Sequence, residues 1–345
     1  MAMELSVEQL TLQMREPLQT SYGEVCERQL LAVTLADDEG VEGHGEAAPL
    51  EGYDGTSVAR VRDALERYRP VLASSHGLNG GQLIEACRQI EDLPPALAAV
   101  DMALWDRAGR RTERPVAELL TDDPAERVPV NASLSALDRA GVAEQAAAAL
   151  RAGFDCIKLK VGVGDDAGRV AAARAAAGPE MALRLDANGA WGVDQAVRAI
   201  EALAPAGLEL VEEPTHGLHA VREVRERVST RIAIDETAAE HGALGAGVAD
   251  AVCLKISRCG GIAGLVAAAM LVRASGAEVY LSSTYDGPLG VAAALHTAAA
   301  LASRGSMPPC GLATLGLFAG IDDPLPVVEG TIALPDGPGL GVEPL

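Results

Sequence analysis

Nine polar residues sit at the ends of short apolar runs in the middle of this chain. They are Lys158 and Lys160 in "CIKLKVG", Asp186 and Asn188 in "LRLDANG", and Glu212 and Glu213 in "LELVEEP". Asp235 and Glu236 follow in "RIAIDET", and Lys255 in "AVCLKIS". The steps from Lys160 to Asp186 and from Asp186 to Glu212 are 26 residues each, and those to Asp235 and Lys255 are 23 and 20. Three successive runs therefore end in a carboxylate, with a lysine-bearing run on either side. Converging carboxylates repel one another unless a cation joins them. An oxygen donor set that leaves room for water and substrate favours Mg2+, with Mn2+ as the alternative. A nearby cation and partial burial both lower a lysine pKa, which makes an amine a usable base near neutral pH.

Taken singly, each residue has a plainer reading. An acid at a strand end is commonly a helix cap, as Asp194 after "GAWGV" is expected to be. A buried lysine is commonly an ion-pair partner. His76 and His241 read as loop residues, His296 as a helix residue and Cys253 as packing. The ordered series is what argues for a site. Ser282, Ser283 and Thr284 end the next run, "EVYLSST", and are expected to line a substrate pocket.

These residues need a scaffold that brings successive strand ends together. From about residue 128, β-like runs alternate with helical ones: "VPVNASL", the five above, "EVYLSST" and, less clearly, "PPCGLAT". Such alternation predicts a parallel (β/α)-type barrel, in which chemistry lies at the C-terminal strand ends. An open doubly wound sheet usually carries a Gly-rich phosphate turn, and neither GxGxxG nor GxxxxGK[ST] occurs. The first part reads differently. "ELSVEQLTLQM" and "RQLLAVTLADDEGVEGHGE" alternate like antiparallel strands, followed by helices over "TSVARVRDALERYRPVL" and "PPALAAVDMALWDRAGRR". Thr56 or Ser57 is placed to cap the first of these helices. The expected class is α/β: a (β/α)7β barrel over 126–324 and an α+β capping domain over 1–125, with the tail 325–345 packing back on the cap.

The chain has 345 residues, a formal net charge of −21 and a sequence pI near 4.6. Such acidity disfavours nucleic acid and anionic membrane as partners. The six cysteines show no CxxC spacing and read as reduced thiols. With no signal-like start and no apolar run long enough to span a bilayer, a cytoplasmic location is expected. The expected partners are a small-molecule carboxylate substrate and further copies of the chain.

In order and spacing, "KLK", "LRLDANGAW", "VEEP", "AIDET" and "LKISRCGG" resemble the motifs of the enolase superfamily, within its muconate lactonizing enzyme subgroup. The resemblance covers nearly the whole length, and "EGHGEAAPLEGYDG" looks like the segment that reaches over the barrel mouth. It implies that Asp186, Glu212 and Asp235 hold Mg2+, with Asn188 and Glu236 beside the metal. It implies Lys160 as acid/base, Lys158 as its tuning neighbour and carboxylate holder, and Lys255 as the lysine on the opposite face. The implied chemistry is removal of the proton α to a substrate carboxylate, giving a metal-stabilised enediolate. Across the superfamily, Lys or His bases work beside Mg2+ in this way. Mandelate racemase-like members place a histidine near the sixth or seventh strand end, where this chain has "LKIS" and "YLSSTYDG". Enolase itself uses another lysine arrangement and a phosphate site.

Within the subgroup, the two ends of the chain point apart. The N-terminal half resembles dipeptide epimerases and muconate cycloisomerases. Dipeptide epimerases carry Asp-x-Asp at the eighth strand end to hold the substrate ammonium, where this chain reads "PPCGLATLGLF". "CGLATL" resembles o-succinylbenzoate synthases of the actinobacterial type, although their capping segment is shorter than "MREPLQTSYGEVCERQ". The preferred expectation is o-succinylbenzoate synthase-type dehydration. N-acylamino acid racemization, dipeptide epimerization and cycloisomerization are the alternatives, and a catalytically inactive binding protein the remote one. Tyr53, Cys310 and Leu312 join the serines and Thr284 as expected substrate-binding residues. Gln19 to Glu24 and Leu50 to Asp54 are expected to close the pocket, with Glu51 or Asp54 able to supply a missing acid.

Overall fold

A computed structural model describes residues 3–20, 23–74 and 76–345, apart from the side chain of Gln19. Ser21 and Tyr22, within the expected closing segment, lie outside the described residues. Strands β1 (Met3–Thr20), β2 (Gly23–Asp37) and β3 (Glu42–Ala47) form an antiparallel sheet in that order. Their alternation turns Leu31, Val33 and Leu35 toward helices Val58–Ala73 and Pro94–Thr112, where they pack with Val61, Leu65, Tyr68 and Leu97. Ser57, one of the two expected caps, accepts from the amide of Arg60 at 3.3 Å. "EGHGE" carries glycines for a packing reason. A Cβ on Gly43 or Gly45 would overlap the carbonyl oxygen of Ala103 or Ala99, so only glycine lets the sheet meet that helix.

The second sheet is parallel. Among the described residues it holds seven strands. They are β5 (Ala132–Leu134), β6 (Cys156–Lys160), β7 (Ala182–Asp186), β8 (Leu210–Glu212), β9 (Ile232–Ile234), β10 (Ala251–Leu254) and β11 (Glu278–Leu281). Their order in the sheet is their order in the chain, as right-handed βα crossovers produce. The eighth run is not a full strand. The Cys310 amide donates to the carbonyl of Pro129 at 2.8 Å and the Gly311 amide to that of Leu281 at 2.8 Å, so two residues bridge the open edges.

"VPVNASL" is divided between two sheets. β4 (Arg127–Pro129) pairs with the tail strand β13 (Thr331–Ala333), itself joined to β12 (Val327–Val328), and only the second half enters the barrel as β5. The tail then returns to helix Pro94–Thr112, where Leu340 donates its amide to Asp106 at 2.7 Å. His296, buried in helix Pro288–Ala302, accepts from the amide of Ala117 through Nδ1 and bonds the Leu340 carbonyl through Nε2 at 3.0 Å. Burial holds its imidazole down to about 4, in the neutral form these bonds require. Among the described residues, no helix is long and apolar enough to cross a membrane.

Candidate active site

The parallel register sets the acids side by side: Lys160 pairs with Asp186, and Asp186 with Glu212. Their side chains share the inner face because each strand alternates its residues. Lys158 reaches between two of them, with Nζ 2.9 Å from Asp186 and 2.7 Å from Glu212. Lys255 pairs with Asp235. Burial opposes the charge on both lysines. For Lys158, Asp186 and Glu212 outweigh it, and for Lys255, Asp235 does, so both ammonium groups are held well above their ordinary value. Burial pushes the Glu212 carboxyl up to about 7 against the pull of Lys158.

Lys160 differs. It makes no hydrogen bond or ion pair among the described residues. Burial lowers its pKa against the pull of the Asp186 and Glu236 charges, and the neighbouring Lys158 charge adds to the lowering. It borders a cavity of about 250 Å³ together with Lys158, Asp186, Asn188, Asp235 and Lys255.

The surrounding bonds aim the carboxylates. Tyr280 donates to Glu212 Oε2 at 2.6 Å, and the Arg184 guanidinium lies 4.8 Å from the centre of the Tyr280 ring. Arg184 is held in turn by Glu209 at 2.8 Å. Glu213 accepts from the amides of Asp235 at 2.8 Å and Thr237 at 3.0 Å, which shapes the turn carrying Asp235. Asn188 donates its amide to Asp186 at 3.0 Å and its side chain to Glu236 at 3.2 Å. Tyr53 comes from the cap, donates to Asp235 at 2.8 Å and receives bonds from Lys255 and Arg258 at the same distance.

The donor set suits a hard cation. Glu212 and Asp235 bring oxygens within 4.8 Å of each other and of Cys253 Sγ, a grouping able to hold a metal ion. Asp186 joins it across the Lys158 ammonium, and Lys158 and Lys255 place positive charge where a cation would sit. Cys253 is thus beside the acids and not simply in the packing layer. Burial keeps its thiol protonated, and a neutral thiol is a poor ligand for a hard ion.

The expected pocket residues divide. Tyr53, Ser282, Ser283 and Thr284 border the cavity. Cys310 and Leu312 do not: both are buried in the wall, and Cys310 Sγ accepts from the Leu281 amide at 3.4 Å. Gly311, Ala313 and Thr314 face the cavity there, because the bridge between Ser282 and Gly311 sets the inward face one residue away from the expected one. Asp54 turns to the backbone, accepting from Leu50 and Thr56 at 3.0 and 2.8 Å. Neither it nor Glu51 borders this cavity. Asp194 caps no helix, as Gly192 holds that position, and instead pairs with Arg227 at 2.8 Å. The cavity also includes Asn131, Ser133 and Tyr285, which the pattern of strand ends did not pick out. Ser133 was legible as the neighbour of Lys158 in a period-two pattern.

A lysine-flanked row of carboxylates at the C-terminal ends of a parallel barrel, under a separate cap, defines an enzyme of the enolase superfamily. Residues 2–121 match the mandelate racemase / muconate lactonizing enzyme N-terminal domain, and residues 141–345 match the enolase C-terminal domain-like family. The chain belongs to the mandelate racemase / muconate lactonizing enzyme family. It is 30% identical over 299 residues to a hydrophobic dipeptide epimerase of Enterococcus faecalis, covering 84% of each chain. It is 40% identical over 219 residues to the o-succinylbenzoate synthase of Thermobifida fusca, covering 59% of this chain and 66% of that one. The structure of an N-succinyl Arg/Lys racemase from Bacillus cereus superposes with a TM-score of 0.90 at 27% identity, covering 99% of this chain and 95% of the other.

Proposed function

We propose that this enzyme removes the proton α to a carboxylate of a small substrate whose other end carries no ammonium group. The preferred reaction is an o-succinylbenzoate synthase-type elimination of water. In this reading residues 126–324 are the catalytic barrel, and 1–125 with 325–345 are its cap. Asp186, Glu212 and Asp235 would hold Mg2+, with Asn188 steadying Asp186 and Glu236 beside the metal. When bound, the ion supplies positive charge beside the carboxylate that gains electron density as the α C–H bond breaks.

The protein's own groups do the rest. Lys158 orients a substrate carboxylate oxygen. Lys160, partnerless and with a lowered pKa, takes the α-proton. In a syn elimination it returns that proton to the departing hydroxyl, so the C–H electron pair becomes the new C=C bond and water leaves. Lys255 stays an ammonium and steadies the negative charge from the other side.

The observation that carries the choice of substrate is the eighth-strand wall. Gly311, Ala313 and Thr314 offer no carboxylate, and an unpaired buried ammonium there would cost several kcal/mol. The same wall supports racemization of N-acylamino acids as a second reading, with Lys255 delivering a proton to the opposite face. The test is a panel in D2O: the o-succinylbenzoate synthase substrate, N-succinyl amino acids and free dipeptides. Dehydration is followed by absorbance and α-proton exchange by NMR. Efficient epimerization of a free dipeptide, with the acyl compounds untouched, would overturn the reading.

A further inference from the structure

Arg28 lies on β2, is 3% exposed, and among the described residues bonds two carbonyls of the cap and one of the barrel across the seam. Its Nη2 and Nη1 donate to the carbonyls of Ala48 and Pro49 at 2.9 Å each. Its Nε donates to the carbonyl of Tyr285 at 3.3 Å. Ala48 and Pro49 lead directly into Leu50 and Tyr53 on the cap side of the cavity, and Tyr285 stands on the barrel side. Tyr285 also has a φ of +59°, a left-handed conformation that a bulky residue adopts only when its surroundings impose it.

Buried acids hold the residues on either side of Tyr285. Asp286, 1% exposed, accepts from the Thr284 hydroxyl at 2.8 Å and the Thr284 amide at 3.3 Å, while its own amide donates to Ser283 Oγ at 2.8 Å. Glu46, on β3 of the cap, accepts from the amide of Gly287 at 2.6 Å. A Cβ on Gly287 would overlap the Glu46 carboxyl, so glycine is what lets that group approach. Two carboxyl groups and one guanidinium thus meet in the seam.

We propose that Arg28, Glu46 and Asp286 form a latch across the cap–barrel seam that sets the spacing between Leu50 and Tyr285, and with it the substrate length the pocket accepts. The three are positioning residues, since none borders the cavity. The guanidinium is rigid and planar, so one group fixes two backbone segments at a set distance, and a lysine in its place cannot reach all three carbonyls. The effect on substrate choice rests on the α-proton reading above; the latch itself does not.

The experiment compares the full-length wild type with Arg28→Lys and Glu46→Gln in two ways. Amide hydrogen exchange is read at residues 48–54 and 282–290, with 193–203 as a control on the far side of the barrel. Opening of the latch in Arg28→Lys should speed exchange at both seam segments by about tenfold and leave the control unchanged. Glu46→Gln, which keeps an acceptor for Gly287, should leave the seam close to wild type. Steady-state kinetics of Arg28→Lys should show KM raised about tenfold, with kcat within about threefold and weaker discrimination between short and long acyl chains. Unchanged exchange at both segments, or a fall in kcat with KM unmoved, would overturn the latch. If Arg28→Lys does not fold, Asp286→Asn is read by the same criteria. A wild type that turns over nothing in the panel would defeat the α-proton reading, while the exchange data would still decide the latch.

Discussion

Lys160 and Lys255 differ in what holds them, and that difference is testable. Lys160 has no partner among the described residues, whereas Lys255 is tied to Asp235 and Tyr53. Lys160→Ala should lower kcat by about 10²–10⁴-fold, the usual range for loss of a positioned acid/base. In a syn elimination it should also abolish α-proton exchange in D2O, while Lys255→Ala should retain some. Equal loss of exchange in both variants would favour two-base racemization. Tyr280→Phe tests the floor of the site. It removes one bond to a fully buried carboxylate and leaves that oxygen unsatisfied, at a cost of about 1–3 kcal/mol. The expected result is weaker Mg2+ affinity with the fold intact, measured by calorimetric titration and circular dichroism.

At the scale of elements, alternation decides which residues meet and long-range contacts decide how they are held. Period two was enough to collect Lys158, Lys160, Asp186 and Glu212 on one face, because adjacent parallel strands pair in register. It failed at "PPCGLAT", where Cys310, Gly311, Leu312 and Ala313 are all apolar or small and give no contrast between faces. Glu46 carries a prediction at this scale. Burial, with Asp286 adding to it, raises its carboxyl from an ordinary 4.5 to about 8. The folded state therefore keeps a proton that the unfolded chain gives up. Stability from this group is present below about pH 4.5, falls as pH rises toward 8, and changes little beyond. Glu46→Gln should remove that decline, so its advantage over wild type in urea unfolding should grow between pH 5 and about 8. A constant difference across this window would show that Glu46 does not hold its proton.

For the whole molecule, the two ion-paired lysines imply that the fold does not depend on metal. Lys158 and Lys255 already neutralise the acids that would otherwise repel one another. Chelation should therefore abolish turnover while the protein stays folded. Adding Mg2+ at about a hundred times its Kd should stabilise by about 2.7 kcal/mol, seen as a rise of a few degrees in Tm. Unfolding on chelation would contradict this. His296 adds an acid limit. Its imidazole is held at about 4 against 6.5 in the free chain, so its contribution is present above pH 6.5 and lost as pH falls toward 4. The tail should loosen first there, because His296 bonds Leu340.

The parallel barrel, the row of acids between lysines and the antiparallel cap were all legible in the residues alone, because each rests on local periodicity and on spacing of one βα unit. Tertiary contacts set what spacing cannot carry. "VPVNASL" is divided between two sheets because the tail strand β13 captures its first half. Gly311 faces the cavity because a bridge to Ser282 sets the register. Arg28 and Glu46 meet the Tyr285–Gly287 turn 257 and 241 residues away in the chain. Contacts at such separations arise only once both domains have folded and docked, since their geometry depends on every element between them.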